Sequence, residues 1–100
     1  MKLSQDQVAQ RLRERPGWLV VEELAIQRQF TFDGFPSAIA FVVRVGFEAE
    51  AADHHPDILI SGYRKVTVTF STHSAGGITE KDFAGARQAD ALFARWGAGS

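Results

Sequence analysis

The sequence contains no cysteine. Disulfide bonds, thiolate nucleophiles and metal sites with cysteine ligands are therefore excluded, and any chemistry must come from other side chains. The absence also fits a reducing compartment. Residues 1–15 are polar and mixed in charge, so they lack the long apolar run that a signal peptide or a membrane span needs. We therefore expect a cytoplasmic protein that is not inserted in a membrane.

Strong charge of either sign is also missing, because 11 Lys and Arg residues stand against 12 Asp and Glu residues, a formal net charge of −1. No broad positive field could hold a phosphate backbone, so we expect no direct binding of nucleic acid. Apolar residues, in contrast, make up 45% of the chain. A chain of 100 residues suffices for one hydrophobic core but not for two, so we expect a single domain over residues 1–100.

Alternating polarity predicts four strands, at residues 18–21, 24–32, 58–60 and 65–71. The first two are close enough in sequence to form an antiparallel hairpin. In the second strand the even positions from Leu24 to Phe32 are apolar except for Arg28, and we expect these apolar residues to face the core. His73 is expected to continue the threonine face of the fourth strand.

A long helix is predicted over residues 35–52, where apolar residues recur with helical spacing. Its phase places Gly46 on the inner side, where a missing side chain would allow close approach to a sheet, and Glu50 also falls there. Pro56 disfavours helical geometry at the residue before it, so the helix should end near Asp53.

Two capping patterns mark further helices. Ser4 with Gln7 indicates a short helix at the start of the chain, and Thr79 with Asp82 indicates a last long helix, after which residues from Gly97 onward should fray. The order of elements predicts an α+β fold with a four-stranded antiparallel sheet, two long helices packed on one face and a short N-terminal helix. The other sheet face would be open or would pack against a second subunit.

All three histidines follow the ends of predicted elements, His54 and His55 after the long helix and His73 after a strand. An imidazole titrates at about pH 6.5, so it can give or take a proton at neutral pH. A plain polar loop is one alternative, and a zinc site with Glu50 or Asp53 as a further ligand is another. The spacings His-x-x-x-His and Glu-x-x-His, which place metal ligands on one face of a helix, are missing, and this favours acid–base chemistry.

The pattern Glu50-x-x-x-His54-His55-Pro56, followed by Tyr63, His73 and Asp82, resembles the signature of the pterin-4a-carbinolamine dehydratase family. The resemblance extends over about residues 18–90. It implies the α+β fold described above, a homodimer or homotetramer, and neither a metal nor an organic cofactor. It also implies a small-molecule pterin substrate, a 4a-hydroxytetrahydropterin, which loses water to give the quinonoid dihydropterin during tetrahydrobiopterin recycling.

Carried onto this chain, the resemblance implies catalytic roles for His54, His55 and His73, and substrate-binding or orienting roles for Glu50, Asp53 and Pro56. Among these His55 would be the most essential. Asp82 is interpreted as a helix cap and Tyr63 as a packing or turn residue. The alternative function is a non-catalytic dimeric binding module, either a transcriptional coactivator or an assembly chaperone. The complete histidine set favours a hydro-lyase.

Overall fold

The computed structural model describes residues 1–97, which form three helices and four strands. In chain order these are α1 (Gln5–Arg13), β1 (Leu19–Val21), β2 (Ala25–Thr31), α2 (Phe35–Ala52), β3 (Asp57–Ser61), β4 (Lys65–Phe70) and α3 (Glu80–Trp96). A short 3-10 turn, His73–Ala75, lies between β4 and α3. The predicted fold class is confirmed. Of the tail that was expected to fray, residues 98–100 lie outside the described residues.

The strands form one antiparallel sheet in the order β1-β2-β4-β3. β1 and β2 form the predicted hairpin, and β4 lies between β2 and β3. Along β4 the apolar side chains are buried beneath the helices, while Thr67 and Thr69 face the other side and accept hydrogen bonds from Gln29 and Gln27. The open face of the sheet is therefore polar at its centre. Because β3 and β4 run side by side, the loops before β3 and after β4 meet at one end of the sheet.

Capping groups fix the ends of the helices as predicted. Ser4 and Gln7 form a reciprocal capping box on α1, and Thr79 and Asp82 form one on α3. A salt bridge from Arg11 to Glu80 ties α1 to the first turn of α3. The hydrogen bond from the Arg11 guanidinium is the main reason that the pKa of the Glu80 carboxyl lies below its ordinary value.

The inner face of α2 differs from the prediction. Ala38, Phe41, Val45 and Ala49 are buried against the sheet and α3. Gly46 is exposed, and apart from its own stretch of helix no atom lies within 4 Å of the position that a Cβ would take, so the predicted close approach at this glycine is wrong. Glu50 is also exposed. Within residues 1–97, no helix is both long and apolar enough to cross a membrane.

The prediction for Leu24 is wrong as well. Its side chain is 54% exposed, because it precedes the first residue of β2 and lies in the turn after β1. The later even positions behave as expected, since Ile26, Phe30 and Phe32 are buried. The alternation therefore identified the strand correctly but extended it by one residue at each end.

Aromatic rings fill the space between the sheet and the helices. The ring of Phe30 lies 4.8 Å from that of Phe41 and 5.1 Å from that of Phe93, measured between centroids. At the edge of this cluster the indole of Trp18 donates to the carboxylate of Asp90, which also accepts from Arg28. These contacts lock α3 against the sheet, and α3 carries one of the groups of the candidate site.

Candidate active site

The two adjacent histidines lie in the loop between α2 and β3. Asp53 ends α2 in the left-handed conformation, with φ of 53°, which Asp tolerates better than most residues. The backbone N–H of His54 still donates to the carbonyl of Ala49. Pro56 then favours extended geometry at His55. The chain thus leaves the helix sharply and turns into β3, and the imidazoles of His54 and His55 contact different partners.

The imidazole of His54 is held on two sides. Its Nε2 lies 2.6 Å from Oδ1 of Asp82, and its ring is stacked on Phe70 with an interplanar angle of 14° and a centroid distance of 5.9 Å. The side chain is only 14% exposed. Rotation about the Cα–Cβ bond or a flip of the ring would each break at least one of these contacts.

Asp82 is fully buried, and both of its oxygens are used. Oδ2 accepts from the hydroxyl of Thr72 at 2.8 Å and from the backbone N–H of Thr79 at 2.9 Å, while Oδ1 faces His54. The hydroxyls of Thr72 and Thr79 also share a hydrogen bond of 2.8 Å. Oδ2 thus accepts two hydrogen bonds. When Asp82 is ionised both of its oxygens act only as acceptors, and Nε2 of His54 is then the nitrogen that carries hydrogen.

His55 has a different environment. Its Nε2 lies 2.8 Å from Oε1 of Glu50, but the side chains of the two residues are 59% and 79% exposed. The structure therefore brings Glu50 to His55 and not to His54, across the last turn of α2. This pair is open to solvent and able to exchange protons with it, whereas the pair of His54 and Asp82 is closed.

His73 is the first residue of the 3-10 turn and is exposed. The expectation that it continues the threonine face of β4 is wrong, because the strand ends at Phe70 and Thr72 bridges to Gly77 across the turn. Its imidazole makes no side-chain hydrogen bond within residues 1–97. Since Thr72 is bonded to Asp82, the start of this turn is anchored to the same carboxylate that holds His54.

The remaining residues of the predicted site contribute differently. Asp53 provides the left-handed end of α2, and its exposed carboxylate makes no hydrogen bond to a histidine in the described part of the chain. Pro56 is half-buried at the end of the loop. Tyr63 lies in the turn between β3 and β4, with φ of 57°. That turn is at the opposite end of the two strands from the histidines, so Tyr63 does not reach the histidines of its own chain.

Metal binding was left open by the sequence. Across the 97 residues that the structure describes, no group of three His, Cys, Asp or Glu side chains is close enough to hold an ion. The Nε2 atoms of His54 and His55 are each turned toward a carboxylate. The arrangement leaves the Nδ1 atoms for proton transfer with a bound molecule.

Sequence reasoning missed the part played by Thr72, Phe70 and Asp82. The Thr79-x-x-Asp82 spacing explained the aspartate as a cap, and that cap is present. Nothing in the spacing indicated that its second oxygen reaches a residue 28 positions earlier. The resemblance, which included Asp82 in its signature, was the one signal that could have drawn attention to it.

The fold and the site together define a small α+β protein with histidine–carboxylate pairs at one end of an antiparallel sheet. Comparison with known families gives the specific assignment. The family model described as pterin 4 alpha carbinolamine dehydratase matches residues 1–92, and the chain belongs to this family. The resemblance noted from the sequence is thereby confirmed.

Individual relatives agree with this assignment. A protein of Chloroflexus aurantiacus, provisionally named pterin-4-alpha-carbinolamine dehydratase, is 50% identical over 91 residues, which cover 91% of this chain and 96% of the relative. A protein of Roseiflexus with the same provisional name is also 50% identical over 91 residues, with the same coverage. Both relatives therefore match over nearly their whole length.

Solved structures show the same architecture. The crystal structure described as a transcriptional coactivator/pterin dehydratase from Brucella melitensis superposes with a TM-score of 0.87 at 36% identity, covering 92% of this chain and 98% of that one. A pterin dehydratase-like protein described as a RuBisCO assembly factor in the alpha-carboxysome superposes with a TM-score of 0.64 at 23% identity, covering 76% and 88%. The second likeness shows the fold alone.

Proposed function

We propose that this protein is a 4a-hydroxytetrahydropterin dehydratase, a hydro-lyase that acts in tetrahydrobiopterin recycling without a metal or an organic cofactor. The observation that carries the proposal is the pair of adjacent histidines, each with Nε2 at a carboxylate, in a chain of the dehydratase family. Such pairs orient an imidazole and fix which nitrogen can accept a proton. The bonding of the imidazoles suits acid–base chemistry on a small molecule.

The reaction balances with one acid and one base. N5 of the substrate loses its proton to a base, the electron pair forms the double bond between N5 and C4a, and the C4a–O bond breaks. The hydroxyl takes a proton from an acid and leaves as water. One neutral and one protonated imidazole perform both transfers, and the catalyst is restored when a proton passes between them or through solvent. No redox change occurs.

Among the three histidines we assign the most essential transfer to His55. Its exposed pair with Glu50 allows the imidazole to exchange protons with water between turnovers. His54, held rigidly by Asp82 and Phe70, has the fixed geometry that suits contact with the ring system of the pterin. His73, anchored through Thr72, would approach from the other loop. Asp53 and Pro56 shape the loop that carries the first two.

The test is a direct assay. The 4a-hydroxytetrahydropterin is generated in situ, and its ultraviolet conversion to the quinonoid dihydropterin is followed with wild-type protein, EDTA-treated protein, His55→Ala, and Gln88→Ala as an exposed control on α3. We expect acceleration that survives EDTA and Gln88→Ala, and a fall of at least about 100-fold in kcat for His55→Ala. Loss of activity with EDTA would indicate a metal site instead. Folded wild-type protein that gives no acceleration would favour the non-catalytic binding module.

We also propose that the protein forms a homodimer or homotetramer. Four large apolar side chains recur at every fourth residue along the outer face of α2, Phe35, Ile39, Val43 and Phe47, and they are between 38% and 73% exposed. A continuous apolar strip of this length is unusual on a monomer. With a net charge of −1, two copies repel each other little. We therefore propose that a second copy of this chain covers the strip.

We also propose that this single-domain protein is located in the cytoplasm.

A further inference from the structure

The carboxylate of Asp82 joins the two loops that carry the histidines. Oδ1 contacts Nε2 of His54, in the loop before β3, at 2.6 Å. Oδ2 contacts the hydroxyl of Thr72, the residue before His73, at 2.8 Å. A single side chain at the start of α3 thus fixes the position of one histidine directly and of another through its neighbour.

Helix capping alone does not account for this arrangement. The cap of α3 needs only one oxygen, because the N–H of Thr79 donates to Oδ2. A cap at the third helical position is also satisfied at the surface, whereas Asp82 has 0% exposure. Burying a carboxylate costs free energy unless each oxygen is hydrogen-bonded, and here the second oxygen is bonded by an imidazole. The burial of Asp82 therefore depends on His54.

Glu50, the carboxylate that contacts His55, is exposed, whereas Asp82 is buried. Glu50 and His55 form a pair of similar length, 2.8 Å, but 79% of the Glu50 side chain is exposed, and water can replace it. No water can reach Asp82 to replace it. The stacked ring of Phe70 further prevents His54 from turning to another partner.

We propose that Asp82 is a positioning residue for the dehydratase reaction, which holds His54 as the tautomer with hydrogen on Nε2 and leaves the lone pair of Nδ1 for the substrate. This inference rests on the proposed function for its catalytic meaning. Its structural part, the fixed tautomer, stands independently. Asp82 touches no reacting atom. It acts through His54 and, by way of Thr72, on the approach of His73.

The variant that isolates this role is Asp82→Asn. The amide oxygen of asparagine can still accept from Thr79 and Thr72, so the cap is retained, while its NH₂ group must face Nε2 of His54. A donor at that place requires Nε2 to become the acceptor, and hydrogen moves to Nδ1. We therefore expect a folded protein with the tautomer of His54 inverted.

The measurement is a long-range ¹H–¹⁵N correlation spectrum of protein labelled in the imidazole nitrogens. Spectra are recorded at a pH of about 9, well above the ordinary imidazole pKa of about 6.5. Wild type should show His54 with hydrogen on Nε2, and Asp82→Asn should show it on Nδ1. Glu50→Gln is the matched control, since it makes the same chemical change beside His55 and should leave the His54 signals in place.

The same samples are assayed for dehydratase activity. We expect kcat of Asp82→Asn to fall about 10²- to 10⁴-fold, the range associated with loss of acid–base catalysis and with a wrong imidazole tautomer.

Each outcome decides the inference. A wild-type spectrum with hydrogen on Nδ1 of His54 overturns it without any variant, and so does an Asp82→Asn protein that inverts the tautomer but keeps full activity. If Asp82→Asn does not fold, Thr72→Val removes one donor from Oδ2 and leaves the contact of Oδ1 with His54 in place. A smaller fall in kcat with hydrogen still on Nε2 of His54 would support the role, and hydrogen on Nδ1 of His54 in this variant would overturn it. If wild type itself has no dehydratase activity, the proposed function fails, but the spectra still decide whether Asp82 fixes His54.

Discussion

The ring of Phe70, the last residue of β4, lies parallel to the imidazole of His54, with 14° between the planes. Phe70 also packs against Trp18, with centroids 6.1 Å apart, and it is 3% exposed. The core of the protein therefore extends directly beneath the candidate site. A change in packing against this ring should therefore reach His54.

Gly85→Ala should show this connection. A Cβ at Gly85 would lie 2.4 Å from Cε1 of Phe70, closer than two nonbonded carbon atoms approach, and the Phe70 ring is buried. Overpacking of a core costs about 1–3 kcal/mol, so we expect a loss of that size in the free energy of unfolding, measured by urea denaturation. Because the displaced ring supports His54, dehydratase activity of the folded variant should fall too.

The matched control is Gly46→Ala, in the middle of α2. No atom lies within 4 Å of the new Cβ, so the substitution should raise the free energy of unfolding by up to about 1 kcal/mol through the better helix propensity of alanine. Activity should not change. A Gly85→Ala protein as stable as wild type would contradict the packing described for Phe70.

Glu50→Gln tests the exposed histidine pair. Since both partners are largely open to water, solvent can take over the contact with Nε2 of His55. Exposed ion pairs contribute little, and we expect kcat to fall about fivefold or less. The assay of the proposed reaction measures this directly. A loss as large as that of His55→Ala would show that Glu50 does more than orient the ring.

Much of this fold was readable from the sequence, because its signals are local. Ser4 with Gln7 and Thr79 with Asp82 predicted both helix starts, since a capping box needs only residues three apart. Pro56 predicted the end of α2 for the same reason. The loop that carries His54 and His55 was thereby placed correctly.

The rotation of α2 could not be read in the same way. The helix is apolar on two faces, one with Phe41 and Val45 and another with Ile39 and Phe47, and periodicity alone cannot tell a core face from a face that is exposed in one chain. The choice of the wrong face placed Gly46 and Glu50 inward. Only the packing of the helix against the sheet decides between the two.

The contact between Asp82 and His54 could not be predicted from residues close together in the sequence, and the reason is different. It joins the start of α3 to the end of α2, and it exists because β3 and β4 return the chain to the same end of the sheet. Spacing predicted one partner of Asp82, the N–H of Thr79, and the fold adds the others. Candidate residues were thus predicted better than their bonding.

Acid pH should weaken the link between α1 and α3. The pKa of Glu80 is lowered in the folded protein, chiefly by the hydrogen bond from Arg11, so folding is favoured while the carboxyl is ionised. Its contribution is present above the unfolded pKa of about 4.3 and is lost as pH falls through the lower folded value. We therefore expect the Tm difference between wild type and Glu80→Gln to be positive at neutral pH and to vanish in strong acid. Thermal scans across pH test this, with Glu48→Gln as a control that removes another exposed carboxylate, on α2, without touching the link between α1 and α3.

Self-association should depend on the outer face of α2. Phe47 is 73% exposed and Val43 is 50% exposed one turn before it, so a double change to glutamine removes half of the apolar strip without touching the core. We expect wild type to have the mass of two or four chains in light scattering after size exclusion, and the double variant to have a smaller mass at the same concentration. Leu24→Gln is the control, because Leu24 is similarly exposed, at 54%, but lies in the turn between β1 and β2. If wild type is monomeric, or if Leu24→Gln dissociates it equally, the strip on α2 is not the contact between copies. Activity of the dissociated variant then shows whether one chain holds a complete site, as the contacts of His54 and Asp82 within a single chain lead us to expect.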